Sequence, residues 1–176
     1  MNVPVEALKV GALLFLAAIV QVSILSSVDV IGGRPDLVLL TLVAVALLRG
    51  SVFGAAGGFF AGLVVDTGTL ETLGVTSLLL TIFGYWIGRY GETTGRDRAH
   101  APYVSVAVVT VLYALGALVL HFVLGEHAPA RTVLLERLPP EVLFNLVLTL
   151  PVYALCRRAL RPLDAGERVT EVQLLG

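Results

Sequence analysis

The chain has 176 residues, of which 57% are apolar and only 14% are charged, and its formal net charge is -1. Soluble domains have roughly 25% charged residues, so too few polar groups remain here to cover a water-exposed surface. The mean hydropathy of +0.91 agrees with this. The charge balance argues against a nucleic-acid partner, and the single cysteine, Cys156, excludes an internal disulfide.

Six mainly apolar segments are separated by turn residues or charges. A helix needs roughly 20 such residues to cross a bilayer. The predicted spans cover about 6–28, 36–48, 51–66, 73–90, 102–124 and 140–158. The first run is longer than a signal-peptide core of about 7–15 residues, so we expect it to stay attached. We predict an all-α membrane protein with one compact six-helix transmembrane domain at 1–162 and a flexible cytoplasmic tail at 163–176.

Residues 36–66 have two interpretations, six spans in total or five. One long tilted helix would place Arg49 near mid-membrane, which costs roughly 2.5–3.5 kcal/mol on insertion scales. With six spans, nine basic residues fall inside and three outside, as the positive-inside rule expects, whereas five spans remove this bias. The inner set is Lys9, Arg49, Arg89, Arg96, Arg98, Arg157, Arg158, Arg161 and Arg168, and the outer set is Arg34, Arg131 and Arg137. We therefore predict six spans with both chain ends in the cytoplasm.

Glycine recurs at every fourth position of the third segment, at Gly50, Gly54, Gly58 and Gly62. Glycine inside a helix costs up to about 1 kcal/mol relative to alanine. In a membrane, small residues at this spacing let two helix backbones approach closely. The favoured interpretation is packing within the bundle, and the alternative is a docking face for a helix of another protein.

Three charged residues lie at the ends of predicted spans. Asp66 either forms a contact or ligand site at the outer rim or caps the turn Thr67-Gly68-Thr69, and capping is favoured. Asp36 occupies the first turn of the second span, where a carboxylate stabilises a helix N-terminus. Arg49 either anchors its span at the lipid headgroups, which is favoured, or pairs with an acidic residue.

Chemistry-bearing motifs are missing from the sequence. It has no HExxH, no cluster of metal ligands and no phosphate-binding loop. His121 and Asn145, on the fifth and sixth segments, mark either a polar pocket or hydrogen bonds between helices, and the second is favoured. Residues 130–138 form either a short amphipathic helix on the outer membrane surface or a connecting loop. We predict that the protein is not an enzyme and binds no metal or other cofactor.

The second to fourth segments resemble MreD, the rod-shape-determining family of the bacterial cell-elongation machinery. The resemblance covers about residues 34–90, roughly a third of the chain. The positions that carry it are Pro35, Asp36, Arg49, Gly54, Gly58, Phe59, Gly62, Asp66, Gly74 and Tyr85. It implies that these are the candidate partner-binding or family-motif residues, and it raises the case for a functional role of Asp36 and Asp66.

The resemblance also implies a partner and a location. The partner is MreC, a single-span protein of the bacterial inner membrane, in a complex with a SEDS glycosyltransferase, a class B penicillin-binding protein and the cytoskeletal protein MreB. We expect a scaffold that accepts the MreC helix in a groove of small residues and helps regulate peptidoglycan synthesis and cell shape. MreD is similar in overall fold to the S-components of energy-coupling-factor transporters. The alternative is therefore a vitamin-binding transporter subunit with a pocket near Asp66, His121 or Asn145, and a lipid-handling protein is a weaker third.

Overall fold

The computed structural model describes residues 3–23, 34–70, 72–94, 100–125 and 131–160. Within these ranges the chain forms one helical bundle, with the six helices that the apolar segments predict. They are α1 (Val3–Ser23), α2 (Leu37–Arg49), α3 (Ser51–Thr69), α4 (Val75–Thr94), α5 (Ala101–Val123) and α6 (Leu138–Ala159). The predicted tail at 163–176 and the end of the first predicted span lie outside the described residues.

The shortest helix, α2, is the centre of the bundle. Every residue from Val38 to Leu47 is buried, and α2 packs against each of the other five helices. Its sequence has apolar residues on all sides, which is the pattern of a helix with no solvent-exposed face. Leu42 and its neighbours on one side pack against α1 and α3, while Val43 and the other side pack against α4, α5 and α6.

A single residue, Gly50, separates α2 from α3, so residues 36–66 are two helices and not one. Its backbone has φ 96° and ψ −175°, a conformation that is essentially restricted to glycine. The Gly50 N–H closes α2 on the Ala46 carbonyl, and the Gly50 carbonyl accepts the N–H of Gly54 in α3. The chain therefore reverses within one residue, and Arg49 lies at a helix end.

Within the residues that the structure describes, four helical stretches are long and apolar enough to cross a membrane. They are Pro4–Ser23, Ser51–Thr69, Ala101–Val123 and Thr132–Ala159. The thirteen residues of α2 rise only about 20 Å, against a hydrocarbon core of about 30 Å, so α2 is too short to span alone. The number of membrane crossings remains a prediction.

The segment before α6 differs from both sequence-based expectations. It is neither a separate surface helix nor a loop, because Thr132–Arg137 is a π-helix that continues directly into α6. Pro139 and Pro140 lack backbone N–H groups and so cannot complete ordinary helical bonds at this junction. Leu138, just before the prolines, donates its N–H five residues back to the Val133 carbonyl, which is the spacing of a π-helix.

Candidate functional site

One end of α2 is held by hydrogen bonds from two neighbouring helices. The Asp36 carboxylate caps α2 by accepting the Leu39 N–H at 2.8 Å, which confirms the expected capping role. From α1, Gln21 accepts the Leu37 N–H at 2.8 Å and donates to the Pro35 carbonyl at 3.4 Å. Pro35 is buried and has no backbone N–H group. The N–H groups that follow it at the start of α2 have no partner within the helix and therefore need these hydrogen bonds.

Asn145 on α6 connects this end of α2 to two further helices. Its side chain is fully buried; Oδ1 accepts the Asp36 N–H at 2.9 Å, and Nδ2 donates to Thr110 Oγ1 of α5 at 3.2 Å. The favoured interpretation of Asn145, hydrogen bonding between helices, is confirmed. His121 is partly buried in the last turn of α5. We call Gln21, Asp36, Thr110 and Asn145 the α2 polar cluster.

The opposite end of α2 is fixed by Arg49. Its Nη1 atom lies 2.7 Å from Glu6 Oε1 of α1, and both side chains are largely buried, with 15% and 13% of their area exposed. Its Nη2 atom donates to the carbonyl of Leu160 at the end of α6. Arg49 therefore joins three helix ends. The structure shows it paired with an acidic residue, which was the alternative to anchoring at the lipid headgroups. The guanidinium group can be buried because the Glu6 carboxylate neutralises its charge and the Leu160 carbonyl accepts one of its hydrogen bonds.

The glycine face of α3 is covered by α4. A Cβ atom at Gly58 would overlap the Leu80 carbonyl, one at Gly62 would overlap the Ser77 backbone, and one at Gly54 would overlap the Gly84 carbonyl. Packing within the bundle, the favoured interpretation, is thus confirmed. The expectation that this face forms an open groove for a partner helix is wrong, because the backbone of α4 fills it.

Asp66, at the end of the glycine face, caps the next helix. It is 1% exposed, and its carboxylate accepts the N–H groups of Gly74 at 2.8 Å, Thr76 at 3.2 Å and Ser77 at 3.4 Å. The expected cap of the turn Thr67-Gly68-Thr69 is wrong, because α3 continues to Thr69. Asp66 instead lies against the positive N-terminal end of α4, where a carboxylate is stabilised.

Gly74 supports this cap through its backbone conformation. Its φ of +95° is rarely adopted by residues with a side chain, although a Cβ atom there would meet no other atom within 4 Å. The conformation presents the Gly74 N–H to Asp66. This explains physically why glycine and aspartate occur together in this part of the candidate motif.

Sequence reasoning missed Glu92, which acts at the other end of the same helix pair. Its Oε1 atom accepts the backbone N–H of Ser51 at 2.8 Å and the Ser51 hydroxyl at 3.0 Å, while Oε2 lies 3.1 Å from Arg89 Nη1. Ser51 is the first residue of α3. Glu92 was hard to identify because it is 41 residues from Ser51 and the only local signal is its position near a helix end.

Two of the candidate residues are aromatic and face outwards. Phe59 is 45% exposed and packs edge-on against Phe60, and Tyr85 is 44% exposed and packs edge-on against Trp86. The Phe59 carbonyl also accepts a hydrogen bond from the Ser77 hydroxyl at 3.0 Å. The ten candidate residues therefore do not form one site; they divide between the ends of α2, the α3–α4 contact and the outer surface.

An apolar groove of about 700 Å³ lies between α1 and α3 on the outside of the bundle. We call it the α1–α3 groove. Its lining includes Ala7, Gly11, Phe15, Phe53, Ala56 and Phe60. The two helices meet where Leu14 fills the space beside Gly57 and Val22 the space beside Gly68, and the groove runs alongside these contacts.

Several ionisable groups of the described residues, among them Asp36, Arg49, Asp66 and Glu92, form hydrogen bonds or ion pairs at helix ends. Among the described residues no group of three or more His, Cys, Asp or Glu side chains is arranged to hold a metal. Asp66 bonds to the start of α4, while Asn145 bonds to α2 and α5, so two of the three residues proposed for a ligand pocket are engaged with different helices.

A protein-family model described as "rod shape-determining protein MreD" matches residues 6–159. No curated protein and no solved structure matches the chain. The family match covers nearly all of the chain, including the first, fifth and sixth helices, which lie outside the resemblance at residues 34–90. The matched residues begin at Glu6, which forms the ion pair with Arg49, and end at the last residue of α6. The chain therefore belongs to the MreD family of rod-shape-determining membrane proteins.

Proposed function

We propose that this protein is a non-enzymatic scaffold of the rod complex, which binds an MreC-like single-span protein and helps regulate peptidoglycan synthesis and cell shape. The observation that carries the proposal is the match of residues 6–159 to the MreD family. A SEDS glycosyltransferase, a class B penicillin-binding protein and MreB are the further partners that such a role implies.

The packing of the bundle supports a scaffold. Its central helix is held at one end by Asp36 and Asn145 and at the other by Arg49, and these polar contacts fix helix positions. Among the described residues no buried side-chain nitrogen or oxygen lacks a hydrogen-bond partner. A rigid bundle with an apolar exterior can recognise another membrane helix by shape and close packing.

We infer that the Arg49 end of the bundle faces the cytoplasm of a bacterial inner membrane. Five described basic residues lie toward that end and three toward the other, a distribution that the positive-inside rule associates with this orientation. The first group is Lys9, Arg49, Arg89, Arg157 and Arg158, and the second is Arg34, Arg131 and Arg137. MreB would then meet the arginine-rich end.

Co-purification tests the proposal directly. The tagged protein is co-expressed with the MreC-like protein of the same organism, solubilised in a mild detergent and captured by its tag. We expect the two proteins to elute together from size exclusion as a stoichiometric complex. A folded, monodisperse preparation from which the MreC-like protein is always absent would contradict the proposal.

The transporter alternative predicts a different result from the same preparation. It requires Asp66, His121 or Asn145 to contact a ligand, but Asp66 and Asn145 already bond within the bundle, so we place it second. Native mass spectrometry of the purified protein would favour the transporter if a small polar molecule were retained at one copy per chain.

A further inference from the structure

We propose that the Arg49 end of the bundle binds the phosphate headgroup of an anionic phospholipid where α1 begins and α6 ends. The positive charge at this place comes from Lys9, Arg157 and Arg158, which we call the basic patch. A lipid site of this kind goes beyond the scaffold role and does not depend on it.

Charge is divided unevenly between the two ends of the bundle. Among the described residues, the Arg49 end has five basic and two acidic side chains, whereas the opposite end has three basic and four acidic ones. The acids are Glu6 and Glu92 at the Arg49 end, and Asp36, Asp66, Glu136 and Glu141 at the other. The Arg49 end is therefore the one that attracts an anion.

Both described acids at the Arg49 end are already engaged with other residues. Glu6 pairs with Arg49 at 2.7 Å, and Glu92 pairs with Arg89 at 3.1 Å while it also accepts the Ser51 N–H. The three residues of the basic patch have no acidic partner within the described part of the chain. Their charge is therefore available to a ligand, and it is confined to α1 and α6.

Arg49 brings the two parts of the basic patch to one side of the bundle. Its guanidinium contacts Glu6 at the start of α1 and the carbonyl of Leu160 directly after α6. Lys9 follows Glu6 by three residues and Arg157 precedes Leu160 by three, so each lies within one helical turn of a contact of Arg49. Both arginines of the patch are exposed, and its lysine is partly exposed.

The surface of α6 beside the patch fits the acyl chains of a lipid. Val147, Pro151, Ala154 and Arg158 follow one another at intervals of four, three and four residues, so they share one helix face, and all four are exposed. From Val147 to Arg158 the helix rises about 17 Å, close to half of a hydrocarbon core of about 30 Å. A lipid with its phosphate at Arg158 thus has apolar surface along the depth of one leaflet, which a free phosphate ion would not use.

The side chains of the patch select an anionic headgroup. Arginine presents a planar fork of donors that matches two oxygens of a phosphate, and lysine adds a compact positive charge. Basic residues between membrane helices at the cytoplasmic surface bind anionic headgroups in this way. Phosphatidylcholine carries a cation of its own, which the patch repels, so phosphatidylglycerol is the better ligand.

Lipid titration of the purified full-length protein tests the proposal. Native mass spectrometry measures the binding of dioleoyl phosphatidylglycerol and dioleoyl phosphatidylcholine. Arg157→Gln with Arg158→Gln removes charge from the patch, and the control, Arg131→Gln with Arg137→Gln, removes equal charge from exposed positions near the opposite end of α6. We expect the first double variant to bind phosphatidylglycerol about thirtyfold more weakly, since each basic residue near a membrane surface contributes roughly fivefold. The control should bind it as the unsubstituted protein does.

Tryptophan quenching locates the bound lipid while leaving the patch unchanged. In a Trp86→Phe background, which removes the single tryptophan of the sequence, Leu155→Trp reports on the patch and Leu143→Trp on the opposite end of α6. Both leucines are exposed to a similar extent. We expect phosphatidylglycerol with brominated chains to quench Leu155→Trp more than brominated phosphatidylcholine does, and both lipids to quench Leu143→Trp equally. High salt should reduce the difference at Leu155→Trp.

Each other occupant gives its own result. Equal quenching of Leu155→Trp by the two lipids would overturn the site, even if the arginine variants failed to fold. Inorganic phosphate that raised the unfolding temperature as much as phosphatidylglycerol does would indicate a site for a free anion and would also overturn it. Unchanged lipid binding by Arg157→Gln with Arg158→Gln, together with loss of the MreC-like protein, would identify a surface for protein docking instead. Absence of the MreC-like protein from every preparation would contradict the scaffold role and leave the lipid site standing.

Discussion

The carboxylates of Asp66 and Glu92 cap each other's helices at opposite ends of the α3–α4 pair. Asp66, near the end of α3, accepts backbone N–H groups from the start of α4, and Glu92, near the end of α4, accepts the first N–H group of α3. In an antiparallel pair each helix ends beside the beginning of the other. The two carboxylates therefore accept hydrogen bonds from backbone N–H groups at helix starts, which membrane lipid could not do.

Loss of the Asp66 cap should destabilise the protein more than loss of the Glu92 cap. Asp66→Ala leaves up to three N–H groups of α4 unpaired at a site that is 1% exposed, and we expect a loss of about 1–3 kcal/mol. Glu92→Ala removes an accessible cap, for which about 0.5–2 kcal/mol is typical. Thermal unfolding in detergent measures both. Because the caps lie at opposite helix ends, the double variant should show an additive loss; a larger loss from Glu92→Ala than from Asp66→Ala would contradict the ranking.

The close contact between α3 and α4 should make Gly58 intolerant of even one methyl group. Gly58→Ala places a Cβ atom against the Leu80 carbonyl, which is backbone and cannot rotate away, so we expect about 1–3 kcal/mol of destabilisation. Gly11→Ala is the matched control, because nothing lies within 4 Å of its new methyl group. Comparison of the two unfolding midpoints tests the prediction, which fails if both variants unfold at the same temperature as the unsubstituted protein.

Removal of the Asn145 side chain should loosen the join between α2, α5 and α6. Asn145→Leu leaves the Asp36 N–H and the Thr110 hydroxyl without their partner, and a loss of about 1–3 kcal/mol is expected. Hydrogen exchange should then increase at the start of α2. Thr110→Val, which removes only one of the two bonds, should have the smaller effect, and the reverse order would show that the Asp36 contact is unimportant.

The two ion pairs at the Arg49 end should differ in their effect on stability. Arg49→Gln breaks a largely buried pair with Glu6 and weakens the bond to the Leu160 carbonyl, so we expect a loss above about 1 kcal/mol. Arg89→Gln breaks a pair in which Arg89 is 52% exposed, and the loss should stay below about 1 kcal/mol. Unfolding at low and high salt provides the comparison, because salt should weaken only the exposed pair appreciably.

Single cysteines at the two ends of the bundle should report its orientation. In a Cys156→Ser background, we expect a membrane-impermeant thiol reagent to label Leu70→Cys and Gly125→Cys in intact cells, and to label Thr93→Cys and Arg158→Cys only after lysis. All four positions are exposed. Labelling of Thr93→Cys and Gly125→Cys from the same side would rule out a crossing by α5 and with it the six-span topology.

The helices could be predicted from the sequence because hydrophobic length is a local property. The start of α3 at Ser51 and the division of residues 36–66 at Gly50 followed from charge bias and from a glycine beside an arginine. The continuous helix through Thr132–Arg137 did not, since it depends on a π-type bond immediately before two prolines. Local patterns indicate ordinary helical bonds and not this rearrangement.

The class of protein follows from the amino-acid sequence alone: an apolar composition requires lipid, and the ordered residues from Pro35 to Tyr85 identify the family. How those residues are used depends on the way the helices pack. The tertiary structure placed α4 on the glycine face, gave Asp66 to the start of α4, joined Arg49 to Glu6 and left the α1–α3 groove open. The reason is physical: hydrophobicity sets which segments leave water, but in lipid it does not choose their neighbours, and that choice falls to close packing and hydrogen bonds between distant residues.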